Sequence, residues 1–294
     1  MEQIKSGRKN ICFVIWVLIL FIAIDFILSY WAPVERSTLF TKNDYEKIIL
    51  SQGRKEFDNV FYGNSVAISA FIEEESNSGY INFGIDYGTI ADLKNMLDKK
   101  MLTVNKNLVI ALNYFVLMDT LDTNPTYPWH RKQYEPYVFF QRDRISSFIK
   151  RCIQSLLTGK EIARYDNLNR SVYYGVMTDE ELDGKIRTHG ELFWDLGVEN
   201  YEKNLAALED LIDYCEENGI RLRAVWMPWN DYAQMPEIPQ QVCKIADDIM
   251  RSRGIEVLDM TDAFSRECFH DLGHLNYEYG AHVFTEVIDE WLIS

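Results

Sequence analysis

The chain's pattern predicts a three-layer α/β domain on a five-stranded parallel sheet, preceded by one transmembrane helix. Three observations point there: short apolar runs ending in small or polar residues, amphipathic stretches between them, and one long, nearly uncharged run near the N-terminus. At 294 residues and 47% hydrophobic content, the chain is long enough to bury a large core. Its formal charge of -15 excludes a protein that tracks nucleic-acid phosphates, which needs a basic face.

Residues 1–10 read as a cytoplasmic N-terminus and residues 11–32 as a transmembrane anchor. The stretch from Ile11 to Ala32 carries a single charge, Asp25, and is long enough to cross the hydrocarbon core. Lys5, Arg8 and Lys9 precede it, while Glu35 and Arg36 follow, so the positive-inside tendency places the remaining chain outside the cytoplasm. The run is long for a cleaved signal, and Ala32-Pro33 lacks a small-x-small site. Asp25 is costly in lipid, which leads it either to a polar group on a membrane partner or to water. Five cysteines, one of them in the span, make neither a disulfide framework nor a zinc motif.

Residues 33–56 form a polar juxtamembrane connector with a short helix around Asn43 to Ser51, and residues 57–294 form the main domain. Its first strand, Asp58 to Tyr62, is closed by Gly63, which puts Ser65 at the start of a helix running from Val66 to Glu75. A second strand, Tyr80 to Phe83, ends at Gly84; a helix spans Ile90 to Leu102; a third strand, Leu108 to Leu112, ends at Asn113. In a parallel sheet these strand ends converge on one crevice.

Residues 114–197 are rich in aromatics and read as an insertion over that edge, with a helical patch around Ile145 to Leu157. Its rings either stack on sugars or pack against the core. The alternation resumes with a helix through Leu205 and Cys215 that stops at Gly219, then a strand from Arg221 to Met227. A helix from Val242 to Met250, a fifth strand from Ile255 to Leu258, and a closing helix capped by Asn276 complete the domain.

Asp271 lies three residues before His274, a spacing that lets a carboxylate orient an imidazole whose other nitrogen serves as a base. Ser65 is the candidate nucleophile. His270, Asp271 and His274 are ligand types that suit a metal, but no further ligand cluster completes a coordination shell, so neither metal nor cofactor is expected. His130, His189 and His282 read as surface or packing residues.

Gly63-Asn64-Ser65, Gly84, Asn113 and Asp271-Leu272-Gly273-His274 resemble the four blocks of the SGNH/GDSL hydrolase superfamily, over roughly residues 57 to 294. The resemblance implies a flavodoxin-like fold with Ser65 as nucleophile, His274 as base and Asp271 as its orienter. It also implies an oxyanion hole from the Ser65 and Gly84 backbone N–H groups and the Asn113 side chain. Asn64 departs from the family's usual aspartate. A single anchor on such a domain is similar to proteins of teichoic-acid D-alanyl transfer and alginate O-acetylation. That likeness implies acetyl or D-alanyl transfer to a cell-envelope polysaccharide or teichoic acid, beside a membrane-bound O-acyltransferase. The alternatives are a carbohydrate esterase with the same residues and a catalytically silent scaffold that holds the polymer.

Overall fold

The computed structural model describes residues 2–294, with side chains from Ile11 onward. Five strands form one all-parallel sheet: β1 (Glu56–Gly63), β2 (Ile81–Gly84), β3 (Thr103–Leu112), β4 (Arg221–Trp226) and β5 (Glu256–Asp259). Their spatial order is β2-β1-β3-β4-β5, the flavodoxin-like arrangement. The inner ends of β1, β3 and β4 are buried on both faces, which is why they read as continuous apolar runs rather than alternating ones.

Besides the single turns Pro33–Arg36 and Tyr137–Phe140, the helices are α1 (Glu2–Trp31), α2 (Asp44–Gln52), α3 (Ser65–Ala70), α4 (Ile90–Asp98), α5 (Arg142–Thr158), α6 (Asp179–His189), α7 (Glu202–Asn218), α8 (Glu237–Ser252) and α9 (Gly280–Ile293). Several boundaries differ from the sequence expectation: α4 ends at Asp98 rather than Leu102, and β3 begins at Thr103 rather than Leu108. α3 ends at Ala70, and only Glu73–Glu75 form a further turn. The closing helix begins at Gly280 rather than at Asn276, whose side-chain oxygen instead accepts the Tyr279 and Gly280 N–H groups and shapes the approach. Gly280 allows that helix to pack closely, since a Cβ there would lie 1.9 Å from the Cys268 carbonyl oxygen.

The chain forms two compact units, one comprising residues up to Glu46 with Thr126–Leu168, the other Lys47–Pro125 with Asn169–Ser294. The aromatic-rich stretch is shared between them. In the first unit, α1 is long and apolar enough to span a membrane, and its apolar residues are not buried by the protein. Asp25 on that helix finds its partners within the chain: it accepts the Tyr137 N–H at 2.5 Å and pairs with Arg131 at 3.3 Å. A buried Arg144–Glu46 pair at 2.6 Å holds α5 to the segment after the span.

The second unit carries the sheet and its core. Phe61, Val109 and Val225 from the strands pack with Phe71, Phe284 and Ile288. Arg223 lies fully buried within β4 and donates to the Trp291 and Leu292 carbonyls, capping the C-terminal end of α9.

Candidate active site

The sheet order fixes the site. After β1 the chain turns to one side, toward β2, and after β3 it turns to the other, toward β4; a crevice opens where the two diverge. Ser65 follows β1 and Asn113 follows β3, so the two stand on either side of that switch point. Asn64 caps α3 by accepting the Val66 N–H, while the Asn64 carbonyl accepts the Ile68 N–H. The Ser65 N–H has no such partner among the described residues.

Asp271 and His274 arrive on a tight loop. Phe269 and Leu275 are fully buried and bridge as an antiparallel pair, and the His270 N–H donates to the His274 carbonyl at 2.7 Å. Two anchored ends therefore hold the tip Asp271-Leu272-Gly273-His274 against the strand ends. Asn230, just beyond β4, braces it by donating to the Asp271 carbonyl and by accepting, through its side-chain oxygen, the Tyr232 N–H.

The pairing expected from sequence is present: Ser65 Oγ lies 2.9 Å from His274 Nε2. His274 Nδ1 lies 3.0 Å from both Asp271 carboxylate oxygens. The carboxylate thus holds the proton on Nδ1 and leaves Nε2 to accept from the serine hydroxyl. Asp271 also accepts the Gly273 and His274 N–H groups and pairs with Lys185 at 3.1 Å. Burial alone would raise its carboxyl, but the charge and hydrogen bonds of His274 together with Lys185 outweigh it and hold Asp271 well below the usual carboxylate range. The chain of carboxylate, imidazole and hydroxyl can move a proton off Ser65.

The three expected oxyanion donors are placed differently. Asn113 lines the crevice and forms a reciprocal amide pair with Asn64, at 3.1 and 3.2 Å. Asn113's orientation is fixed by the Val116 N–H, which its oxygen accepts. An aspartate at position 64 could not donate to that oxygen, which gives Asn64 a local reason. Gly84 is not brought to the crevice. Its N–H donates to Asn82 Oδ1 at 3.0 Å, and a Cβ there would meet Ile68 at 2.6 Å, so its missing side chain serves the packing of α3 on β2. The crevice wall after β2 is made instead by Asp86 and Tyr87, the latter in the left-handed region with φ 57°.

Tyr173, Lys185 and His189 were not singled out from the sequence as part of the site. Tyr173 stacks on the His274 ring, with centroids 4.0 Å apart and planes at 29°. Burial, then Asp86 and Asp271, push its phenol up to about 12 against a hydrogen bond with Ser65, so it stays protonated at neutral pH. Its strap is pinned on both sides: Arg170 donates to Asn82 and the Gly84 carbonyl, and the Tyr277 N–H donates to the Tyr173 carbonyl. His270, beside the triad, holds the same strap by meeting the Tyr174 and Gly175 carbonyls. His189 packs edge-on against Phe115, Phe193 and Trp194, and burial, followed by Lys185, lowers its imidazole to about 4. These residues come from an aromatic-rich segment with no period or motif of its own, and the Asp271–Lys185 pair spans 86 positions.

Ser65, Asn113, Tyr173, His189 and His274 share one cavity of about 540 Å³, with Trp226, Met227 and Trp229 on its apolar wall. Among the described residues no group of three or more His, Cys, Asp or Glu could hold a metal ion.

No protein-family model matches the chain, and no curated protein matches it. Among solved structures it is similar to an acylhydrolase candidate from Bacteroides fragilis NCTC 9343, at 13% identity and TM-score 0.38, covering 81% of this chain and 86% of that one. It is also similar to the acetyl xylan esterase AlAXEase, at 12% identity and TM-score 0.39, covering 79% of this chain and 98% of that one. A third likeness is to an α/β hydrolase enzyme from the metagenome of Lake Arreo, Spain, at 10% identity and TM-score 0.40, covering 82% and 96%. At this distance the likenesses carry no argument about activity, and the fold assignment rests on the sheet order itself.

Proposed function

We propose that the protein is a serine acyltransferase or esterase in which Ser65 takes an acyl group from an ester donor. One observation supports this most: a serine hydroxyl 2.9 Å from an imidazole whose far nitrogen is held by a buried carboxylate. His274 removes the Ser65 proton as the oxygen attacks the acyl carbonyl and returns it to the leaving alcohol. The Ser65 N–H and the Asn113 amide supply donors for the oxyanion. A second hydroxyl, or water, then attacks the acyl-serine with His274 again as base.

The membrane-span reading of α1 favours an extracytoplasmic acceptor. On that reading the acyl group is acetyl or D-alanyl, the acceptor is a cell-envelope polysaccharide or teichoic acid, and the donor side is served by a membrane-bound O-acyltransferase. Turnover of an acetylated ester with and without a sugar acceptor tests the proposal. Acceptor-dependent sugar ester marks transfer, and acetate alone marks an esterase. Ser65→Ala should lower either rate by at least about a thousandfold. A folded protein without either activity favours the silent scaffold.

A further inference from the structure

Helix α5 carries an apolar stripe that its own unit leaves uncovered. Ile149 is 51% exposed, Ile153 53%, Leu156 85% and Leu157 82%. Their spacing of four, three and one places them on one side of the helix. The inward side is different and is marked by Phe148, whose ring packs 5.1 Å from Phe40. Just before α5, the turn Tyr137–Phe140 exposes Val138 and Phe139 as well.

The position of that turn says what covers the stripe. Asp25 on α1 accepts the Tyr137 N–H, and Arg131 reaches both Asp25 and Ser29. Asp25 lies six residues before Trp31, or about 9 Å along the helix axis. Tyr30 and Trp31 are the aromatic pair that a span sets at the membrane–water boundary. The backbone of the turn is thus tied to α1 on the lipid side of that boundary, within the depth of about 5–10 Å that interfacial helices reach, while Gln141, just before α5, donates to Glu35 a few residues past it. The Arg131 and Tyr137 contacts also supply what a carboxylate needs at that depth. Charge agrees: α5 carries Arg142, Arg144, Lys150 and Arg151 against a single acid, Asp143, in a chain of net charge -15.

We propose that α5, with the Tyr137–Phe140 turn, lies in the outer membrane interface with Ile149, Ile153, Leu156 and Leu157 in lipid, so that the protein is held by a span and a surface helix together. This rests on the reading of α1 as a membrane span, and the control below separates the two.

The full-length protein is reconstituted in vesicles of zwitterionic and anionic phospholipid, with the photoreactive residue p-benzoylphenylalanine in place of Leu156, Ile153, Gln154 or Leu18. Lipid adducts are then read by mass spectrometry. Adducts at 18, 153 and 156 at least about fivefold above those at 154, on the polar side of α5, are expected. Lipid at 18 with none above the 154 level at 153 and 156 overturns the interfacial helix and leaves the span standing. No lipid at 18 removes the span and this proposal with it. If native membranes give protein rather than lipid adducts at 153 and 156, the stripe belongs to a partner and the lipid assignment is overturned.

Discussion

Chemistry at the residue scale turns on what surrounds Ser65 and His274. Tyr173 covers the imidazole face and keeps a protonated hydroxyl in the cavity it shares with Ser65. Tyr173→Phe keeps the stack and removes the hydroxyl, so steady-state kinetics should show kcat lowered by about tenfold or more with KM little changed. An unchanged kcat would mean that the ring matters only as packing. His189 gives a pH prediction. Its folded pKa of about 4 lies below the unfolded 6.5, so between those values the unfolded state binds more protons. Stability present above about pH 6.5 is therefore lost as pH falls toward about 4. Melting curves of His189→Gln should show less of this acid loss than the wild type, and an equal loss would place its origin elsewhere.

At the scale of elements, what was legible in the sequence followed from local rules. Buried parallel strands read as apolar runs, and Gly63, Gly84 and Asn113 marked where three of them stop. Ser65, Asp271 and His274 were legible because an acid and an imidazole three residues apart fold together locally, and because Ser65 follows a strand. What lay hidden depends on distant contacts. Gly84 carries the same local signature whether its N–H faces the crevice or, as here, the Asn82 side chain. Arg223 looks like a surface residue in a strand until the end of α9 is seen to need its guanidinium. The start of α9 is likewise set by packing: Gly280→Ala should force the helix off the Cys268 carbonyl and destabilise the fold by about 1–3 kcal/mol in denaturant titration. Wild-type stability in that variant would show that the contact relaxes freely.

Considered as a whole molecule, the chain joins a hydrophobic helix to an α/β domain whose cavity is walled by residues from both halves of the sheet. Charged positions follow that division. Asp25 and Glu46 are matched by Arg131 and Arg144 within the first unit, while Asp271 is matched by Lys185 and hydrogen-bonded to His274 within the second. Of these pairs only Asp271–His274 was readable from spacing; the three with Arg131, Arg144 and Lys185 join segments far apart in sequence.

The central claim is that Ser65 is a nucleophile activated by His274. Incubation of the folded, full-length protein with a serine-directed fluorophosphonate at neutral pH, followed by peptide mass mapping, tests it most directly. One covalent adduct is expected on the peptide containing Ser65, absent in Ser65→Ala and formed at least about a hundredfold more slowly in His274→Ala. A folded wild-type protein that stays unlabelled, or a Ser65→Ala variant labelled as fast as the wild type, would contradict it.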